Sequence, residues 1–302
     1  MSEKNAESST ALALLQANAV IAGLEARLDE VNTRLLKAER SKNYFISHTL
    51  NELNNPLTAI IGLTEQFMTM RQPAWEQVRE SLQWIHDEGA YLEFQLKNLF
   101  MAAEIEAGVA RMSRTRVDVY AVLNAVTTSY LTLAQRQGVT LRCNGNHALL
   151  SMIGGSRYLN TDGAALSLIF ANLLDNAVKF SPAGGEVRIG VEIGPLGLAV
   201  TVEDDGPGIS GVDRPYIFDR FWQSDDSTTK AFRGLGLGLS VAVNCAELLD
   251  GKLELSEADG IGTRFSVQLP AIEGDQLTDA PDDNVFFFDA SEDDDASADE
   301  KF

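Results

Sequence analysis

Two apolar seams in the first hundred residues restrict the fold more than any other feature of this chain. Ile46, Leu50, Leu53, Leu57, Ile60, Thr64 and Phe67 recur at three- and four-residue spacing. Pro73 marks a turn near Met70–Trp75, and the phase resumes at Val78, Leu82, Ile85, Gly89, Leu92, Leu96, Leu99 and Ala103. The pattern predicts two helices of about 25 residues joined as an antiparallel hairpin. One hairpin cannot cover such a seam, whereas two hairpins packed as a four-helix bundle can. Dimerisation is therefore built into the pattern. Upstream, Leu14, Ile21, Leu28 and Leu35 repeat every seven residues, each followed three later by Ala17, Leu24, Val31 and Ala38. Flanked by Glu25, Arg27, Glu30 and Arg34, this reads as a two-chain coiled coil over residues 1–40.

From about Thr115 the texture becomes mixed. Val119–Gln137, Asp162–Phe180 and Gly238–Asp250 read as helices. Val139–Cys143, Glu186–Ile193, Leu198–Glu203, Lys252–Ser256 and Thr263–Leu269 read as strands. The expected fold class is thus α plus α/β: a coiled coil, a helical dimerisation hairpin over residues 41–110, and a helix-on-sheet sandwich over 115–270. Residues 271–302 hold 12 Asp/Glu against one Lys and read as an acidic disordered tail.

The net charge of −20 opposes nucleic-acid binding and docking on an anionic membrane, because nothing offsets the repulsion. No stretch approaches the ~18 apolar residues of a membrane span. Cys143 and Cys245 lie far apart without metal-type spacing and are expected as buried free thiols. A cytoplasmic protein is the expectation.

Four motifs fall in one order in the second half. Asn172-Leu-Leu-Asp-Asn176-Ala-Val-Lys179-Phe180 lies on the long helix, where Asn172 and Asn176 share a face. Carboxamide oxygens so spaced suit an octahedral Mg²⁺ completed by phosphates and water, and Lys179 on that face can meet phosphate charge. Asp204-Asp-Gly206-Pro-Gly208-Ile follows a strand; a carboxylate there can accept from an adenine amino group. Ile217-Phe-Asp-Arg220-Phe221 sets a cation beside aromatic residues. Arg233-Gly234-Leu235-Gly236-Leu237-Gly238-Leu-Ser240 opens a helix whose free N–H groups can hold phosphate. Each glycine run alone is weak; the four in order are not.

This order resembles the nucleotide-binding boxes of bacterial sensor histidine kinases, within the gyrase–Hsp90–histidine kinase–MutL superfamily and its Bergerat-type ATP-binding fold. Gly251-Lys-Leu-Glu-Leu and Gly260-Ile-Gly262-Thr263-Arg-Phe are similar to the family's closing strands. The resemblance implies ATP and Mg²⁺ as ligands, with Asn172 and Asn176 serving the metal and Asp204 the adenine. It places Phe180, Gly206, Gly208 and Thr263 around the nucleotide. Lys179, Arg220, Gly234, Leu235, Gly236, Leu237 and Gly238 would line the triphosphate, with Gln223–Arg233 as a lid. Leu235 departs from the family's more usual Ser or Thr.

The phosphoacceptor stretch also departs. Family members carry His-Glu-Leu-x-x-Pro-Leu, but here the stretch is Phe45-Ile-Ser-His48-Thr-Leu-Asn51-Glu52-Leu53-Asn54-Asn55-Pro56-Leu57. Without a gap the acceptor position holds Asn51, whose delocalised amide nitrogen is no nucleophile. His48, three residues earlier, is the alternative acceptor if Thr49-Leu50-Asn51 is an insertion. With Ile46, Leu50, Leu53 and Leu57 buried, residues 48, 51, 52 and 55 form one outer stripe, and Glu52 becomes a base or orienter for His48. Asn55 matches the family position that orients a hydrolytic water. His86 and His147 read as structural.

The resemblance implies a histidine protein kinase of two-component signalling that dimerises with its own kind and engages a response-regulator receiver domain. Two alternatives stay open: a pseudokinase scaffold, and a phosphatase for the regulator. A gyrase- or chaperone-like ATPase is disfavoured, because Asn172 stands where those relatives place a catalytic Glu. In the tail, Val285-Phe-Phe-Phe288 among carboxylates suggests a docking segment for a basic partner.

Overall fold

Asp162 shows how local chemistry starts the central helix. The computed structural model describes residues 27–28, 47, 49–69, 74–143, 158–223, 234–257 and 262–271. In it, Asp162 Oδ1 accepts the backbone N–H of Ala165 at 2.9 Å, and Oδ2 accepts that of Ser113 at 2.7 Å. One carboxylate thereby satisfies an orphan donor at the start of α4 (Gly163–Phe180) and ties down the segment entering the domain. Apolar residues lie all round this helix, so Leu166, Ile169, Phe170, Leu173, Leu174 and Val178 are all buried. Ser181-Pro182 follows, and proline cannot continue the ladder.

The described residues fall into two compact units. One comprises Val109–Ile209 and the chain from Ala242 onward. Its elements are β1 (Thr115–Asp118), α3 (Val119–Gln137), β2 (Thr140–Cys143), β3 (Tyr158–Thr161), α4, β4 (Glu186–Gly194), β5 (Gly197–Asp204), β6 (Lys252–Glu257) and β7 (Thr263–Pro270). Helix α5 (Gly238–Leu248) enters this unit with its later turns. Five strands form a sheet in the order β2-β4-β5-β7-β6, with β2–β4 parallel and the other pairs antiparallel. Alternation along the strands sends Val187, Ile189, Val191, Leu198, Val200, Val202, Phe265, Val267 and Leu269 into the core. Burial contributes roughly 1.5–3 kcal/mol for each large side chain. β1 and β3 pair separately as an antiparallel ribbon. Sequence periodicity did not reveal these two strands, because Thr115-Arg-Val-Asp118 and Tyr158-Leu-Asn-Thr161 are too short and too polar to alternate. Cys143 and Cys245 are both buried and unbridged.

The other unit comprises the chain up to Gly108 together with Ser210–Val241. Residues 49–69 form helix α1, and α2 spans Trp75–Glu106, 32 residues against the 25 expected. Within the single chain the seam divides into two stripes. Thr49 and Pro56 are buried and Leu53, Ile60, Leu63 and Phe67 half-buried, whereas Leu50, Leu57, Ile61 and Met68 lie open to solvent. On α2 the buried positions are Gln95, Asn98 and Ala102, while Leu82 is exposed. A monomeric hairpin covers one face of α1 and leaves the neighbouring apolar stripe uncovered.

The expected coiled coil, apart from residues 27–28, lies outside the described residues, as do His48, His147, the turn at 70–73, the lid residues 224–233 and the tail from 272. No described helix is long and apolar enough to cross a membrane.

Asp162→Ala leaves both N–H groups without their acceptor, and a lost cap of this kind costs about 1–2 kcal/mol. Urea unfolding followed by circular dichroism is expected to show a lowered midpoint with an unchanged slope.

Candidate nucleotide site

Strand alternation fixes the direction of the residue at the centre of the site. Asp204 is the last residue of β5, and its side chain follows Val200 and Val202 to the helix-covered face of the sheet, where it is 5% exposed. Across the sheet it stands opposite Val187 of β4 and Thr263 of β7. Its Oδ1 accepts the N–H of Gly206 at 2.8 Å. Burial pushes its pKa up to about 6, against the lowering effect of backbone hydrogen bonds from Gly206 and Thr263. The neighbouring charges of Asp205 and Glu203 raise it further. At neutral pH the group is ionised, buried and an acceptor.

The backbone comes unusually close around it. A Cβ on Gly262 would lie 1.9 Å from the carbonyl oxygen of Asp204, and that glycine has φ +138°. A Cβ on Gly206 would lie 2.6 Å from Asp204 Oδ1 and 2.9 Å from the carbonyl oxygen of Phe180. Only glycine fits either position. Phe180, Asp204, Gly206, Gly208 and Thr263, five of the sequence-predicted residues, are thus drawn into one cradle, in which Gly208 approaches the carbonyl of Gly262. Gly262 itself was not among the predicted site residues; its spacing before Thr263 was the available signal.

On α4, which packs against β5, the amides differ. Asn172 is 2% exposed and donates from Nδ2 to the carbonyl of Leu168 at 2.9 Å, while Asn176 is half-buried. The bond to Leu168 fixes which end of the Asn172 amide is oxygen. Lys179 is paired with Asp175 at 2.6 Å, a partner the spacing argument missed. Among the described residues no group of three or more His, Cys, Asp or Glu could hold a metal ion. A divalent cation here would rest on amide oxygens and on phosphates, and this donor set fits Mg²⁺.

The remaining predicted residues belong to the other compact unit. There Arg220 Nη1 lies 3.3 Å from Glu106 Oε2 at the end of α2. Phe221 has φ 65°, a conformation costly for an aromatic residue, and its N–H donates to the carbonyl of Gly236 at 2.8 Å. Gln223 Nε2 donates to the carbonyl of Gly234 at 2.7 Å. Leu235 and Leu237 are buried, which anchors the glycine run between them, and Gly238 begins α5.

On α1, Asn51 and Asn55 are exposed. Glu52 is not. It is half-buried and accepts from the Tyr91 hydroxyl of α2 at 3.5 Å. The reason is the two-stripe packing: residue 52 shares the α2-facing side with Leu53 and Pro56.

The family of histidine kinase-, DNA gyrase B- and HSP90-like ATPases matches residues 161–273, and the His Kinase A (phospho-acceptor) domain matches residues 41–108. The chain belongs to the sensor histidine kinases. Among curated histidine kinases, the autoinducer 2 sensor kinase/phosphatase LuxQ of Vibrio cholerae is 30% identical over 249 residues, 81% of this chain and 28% of that protein. The circadian input-output histidine kinase CikA of Thermosynechococcus vestitus is 31% identical over 255 residues, 84% of this chain and 34% of that protein. The chain therefore spans about a third or less of these kinases. The crystal structure of full-length ShkA, a complex with AMPPNP, matches with a TM-score of 0.51 at 22% identity, covering 77% of this chain and 46% of that one. That likeness establishes the shared fold. The histidine kinase ATPase family supplies the meaning of the cradle: it is part of an ATP-binding domain.

An ionised, desolvated Asp204 costs the domain stability. Because its folded pKa lies above the ordinary 3.8, protonation favours the folded state, and this advantage is lost as pH rises from about 4 through about 6. Asp204→Asn retains an acceptor oxygen without the charge. At pH 7.5 the variant is expected to unfold at a higher temperature than wild type, by about 1–3 kcal/mol in stability, with the gap closing near pH 4. Scanning calorimetry at the two pH values checks it.

Proposed function

We propose that the chain is a two-component signalling protein that binds Mg-ATP and dimerises but lacks the usual phosphoacceptor. The observation that carries this reading is Asn51, exposed on α1 in the segment where the family carries histidine. An amide cannot take up a phosphoryl group as imidazole does. Asn176 and Asn172 would hold the metal, Asp204 would accept from the adenine amino group, and Lys179 would leave Asp175 for phosphate. Bound Mg²⁺ neutralises charge on the phosphates it bridges. Arg220, Gly234, Leu235, Gly236, Leu237 and Gly238 would line the triphosphate, and Thr263, Gly206, Gly208 and Phe180 the base.

The exposed stripe of Leu50, Leu57, Ile61 and Met68 supports a homodimer through the hairpin, continued upstream by the coiled coil. Two free buried cysteines suit a cytoplasmic setting. The partner would be a response-regulator receiver domain, with the acidic tail available to a basic surface.

A second reading is favoured by Asn55, exposed one turn after Asn51. An exposed amide there can orient a water, so the protein would dephosphorylate its regulator without first phosphorylating itself. LuxQ carries both kinase and phosphatase in its name.

Incubation with γ-labelled ATP tests the vacant acceptor. Wild type is expected to stay unlabelled, His48→Ala to behave identically, and Asn51→His to gain acid-labile label by at least tenfold over background. Label on wild type that disappears in His48→Ala would instead establish His48 as a displaced acceptor.

A further inference from the structure

Four strands carry a charge network on the sheet face opposite the core, and it encloses the residues on either side of Asp204. Glu203 is buried, 7% exposed, and stands directly opposite Arg188 of β4 and Arg264 of β7. Arg188 Nε and Nη2 donate to Glu203 Oε1 at 3.0 and 2.6 Å. Arg264 Nε donates to Glu203 Oε2 at 2.5 Å. The same Arg188 Nη2 donates to Asp205 Oδ1 at 2.8 Å, and Asp205 Oδ2 accepts the N–H of Glu186 at 2.9 Å. Arg188 Nη1 lies 3.5 Å from Glu186 Oε2, and Arg142 of β2 pairs with the other oxygen of Glu186.

Successive side chains on a strand point to opposite faces. Holding residues 203 and 205 on the outer face therefore forces residue 204 to the inner one, where the nucleotide cradle lies. We propose that Arg188 is a positioning residue for nucleotide recognition: by gripping Glu203 and Asp205 together, it fixes the direction and the charge of Asp204. The proposal rests on Asp204 being the adenine acceptor.

The electrostatics agree with the geometry. Burial of Arg188 pulls its pKa down, but the hydrogen bonds to Glu203 and Asp205 outweigh this and raise it. Both carboxylates act on Asp204 in the direction of protonation. Around Asp204 the charged groups are Glu203 and Asp205 on its own segment, Glu186 and Arg188 from β4, and Arg264 from β7; α4 contributes the Phe180 carbonyl and holds Lys179 against Asp175. Removing Arg188 leaves two acidic neighbours undercompensated. Asp204 then binds its proton at a higher pH, and a neutral carboxyl is the weaker acceptor for an amino group.

The test is titration of the full chain with Mg²⁺ and a nonhydrolysable ATP analogue between pH 5 and 8. Wild type is expected to lose affinity as pH falls through about 6. Arg188→Met is expected to bind roughly tenfold more weakly at pH 7, with the pH of half-loss moved upward by roughly half a unit. Adding Glu203→Gln, which removes one of the two undercompensated charges, is expected to return the midpoint towards the wild-type value. Melting curves show that each variant is folded, and the double variant carries the test if Arg188→Met alone does not fold. A pH profile in Arg188→Met, or in the double variant compared with Glu203→Gln alone, that coincides with its reference overturns the proposal, even if affinity drops uniformly. Asp204→Ala, which removes both acceptor oxygens, separates the two levels. If it binds as wild type does, the acceptor assignment fails and Arg188 falls with it; if it does not bind while Arg188→Met keeps the wild-type affinity and profile, only the role of Arg188 is lost.

Discussion

A carboxylate buried at the end of a central strand sets the terms for the ATP-binding domain. Asp204 is desolvated, and its pKa stands near 6 because of it. Nothing in the fold requires a charge there; an amide would still accept the N–H of Gly206 at a lower desolvation cost. The backbone nonetheless contracts around it, with Gly262 and Gly206 so close that neither can carry a side chain. Stability is spent to present one acceptor at the bottom of a cradle. Such an arrangement is expected where a ligand, not the core, supplies the missing partner.

The cradle depends in turn on features of the sandwich that lie outside it. The alternation of β5 aims residue 204 inward, and the arginines of β4 and β7 keep its neighbours outward. Asp162 starts the long helix, whose far end brings the carbonyl of Phe180 against Gly206. In the other unit the hairpin has a similar division of labour. One face of α1 packs within the chain, with Glu52 turned to Tyr91, and the adjacent face exposes Leu50, Leu57, Ile61 and Met68.

Much of this could be read from the residues. The five strands of the sheet and the three helices of the sandwich emerged within a few residues, because apolar residues recur in each at strand or helix spacing. The close backbone approach around Asp204 was legible in Gly206 and Gly208, since glycine spacing near an acid records where backbone must close on something. Short polar strands such as Thr115–Asp118 left no period to detect. The seam of α1 was read as one stripe because a three- and four-residue spacing cannot tell a face covered by its own chain from one left for another. Glu52 was misplaced for that reason. The Arg188–Glu203–Arg264 contacts depend on strand register across three segments, and no local pattern encodes that.

Every role proposed for these residues requires the cradle to receive a nucleotide. Isothermal titration of the purified chain with a nonhydrolysable adenosine triphosphate analogue, with and without Mg²⁺, measures it directly. The expected result is saturable heat at one site per chain, with affinity reduced when the metal is withheld. A folded chain that releases no heat of binding under either condition would contradict the assignment of Asp204 and the amides of α4.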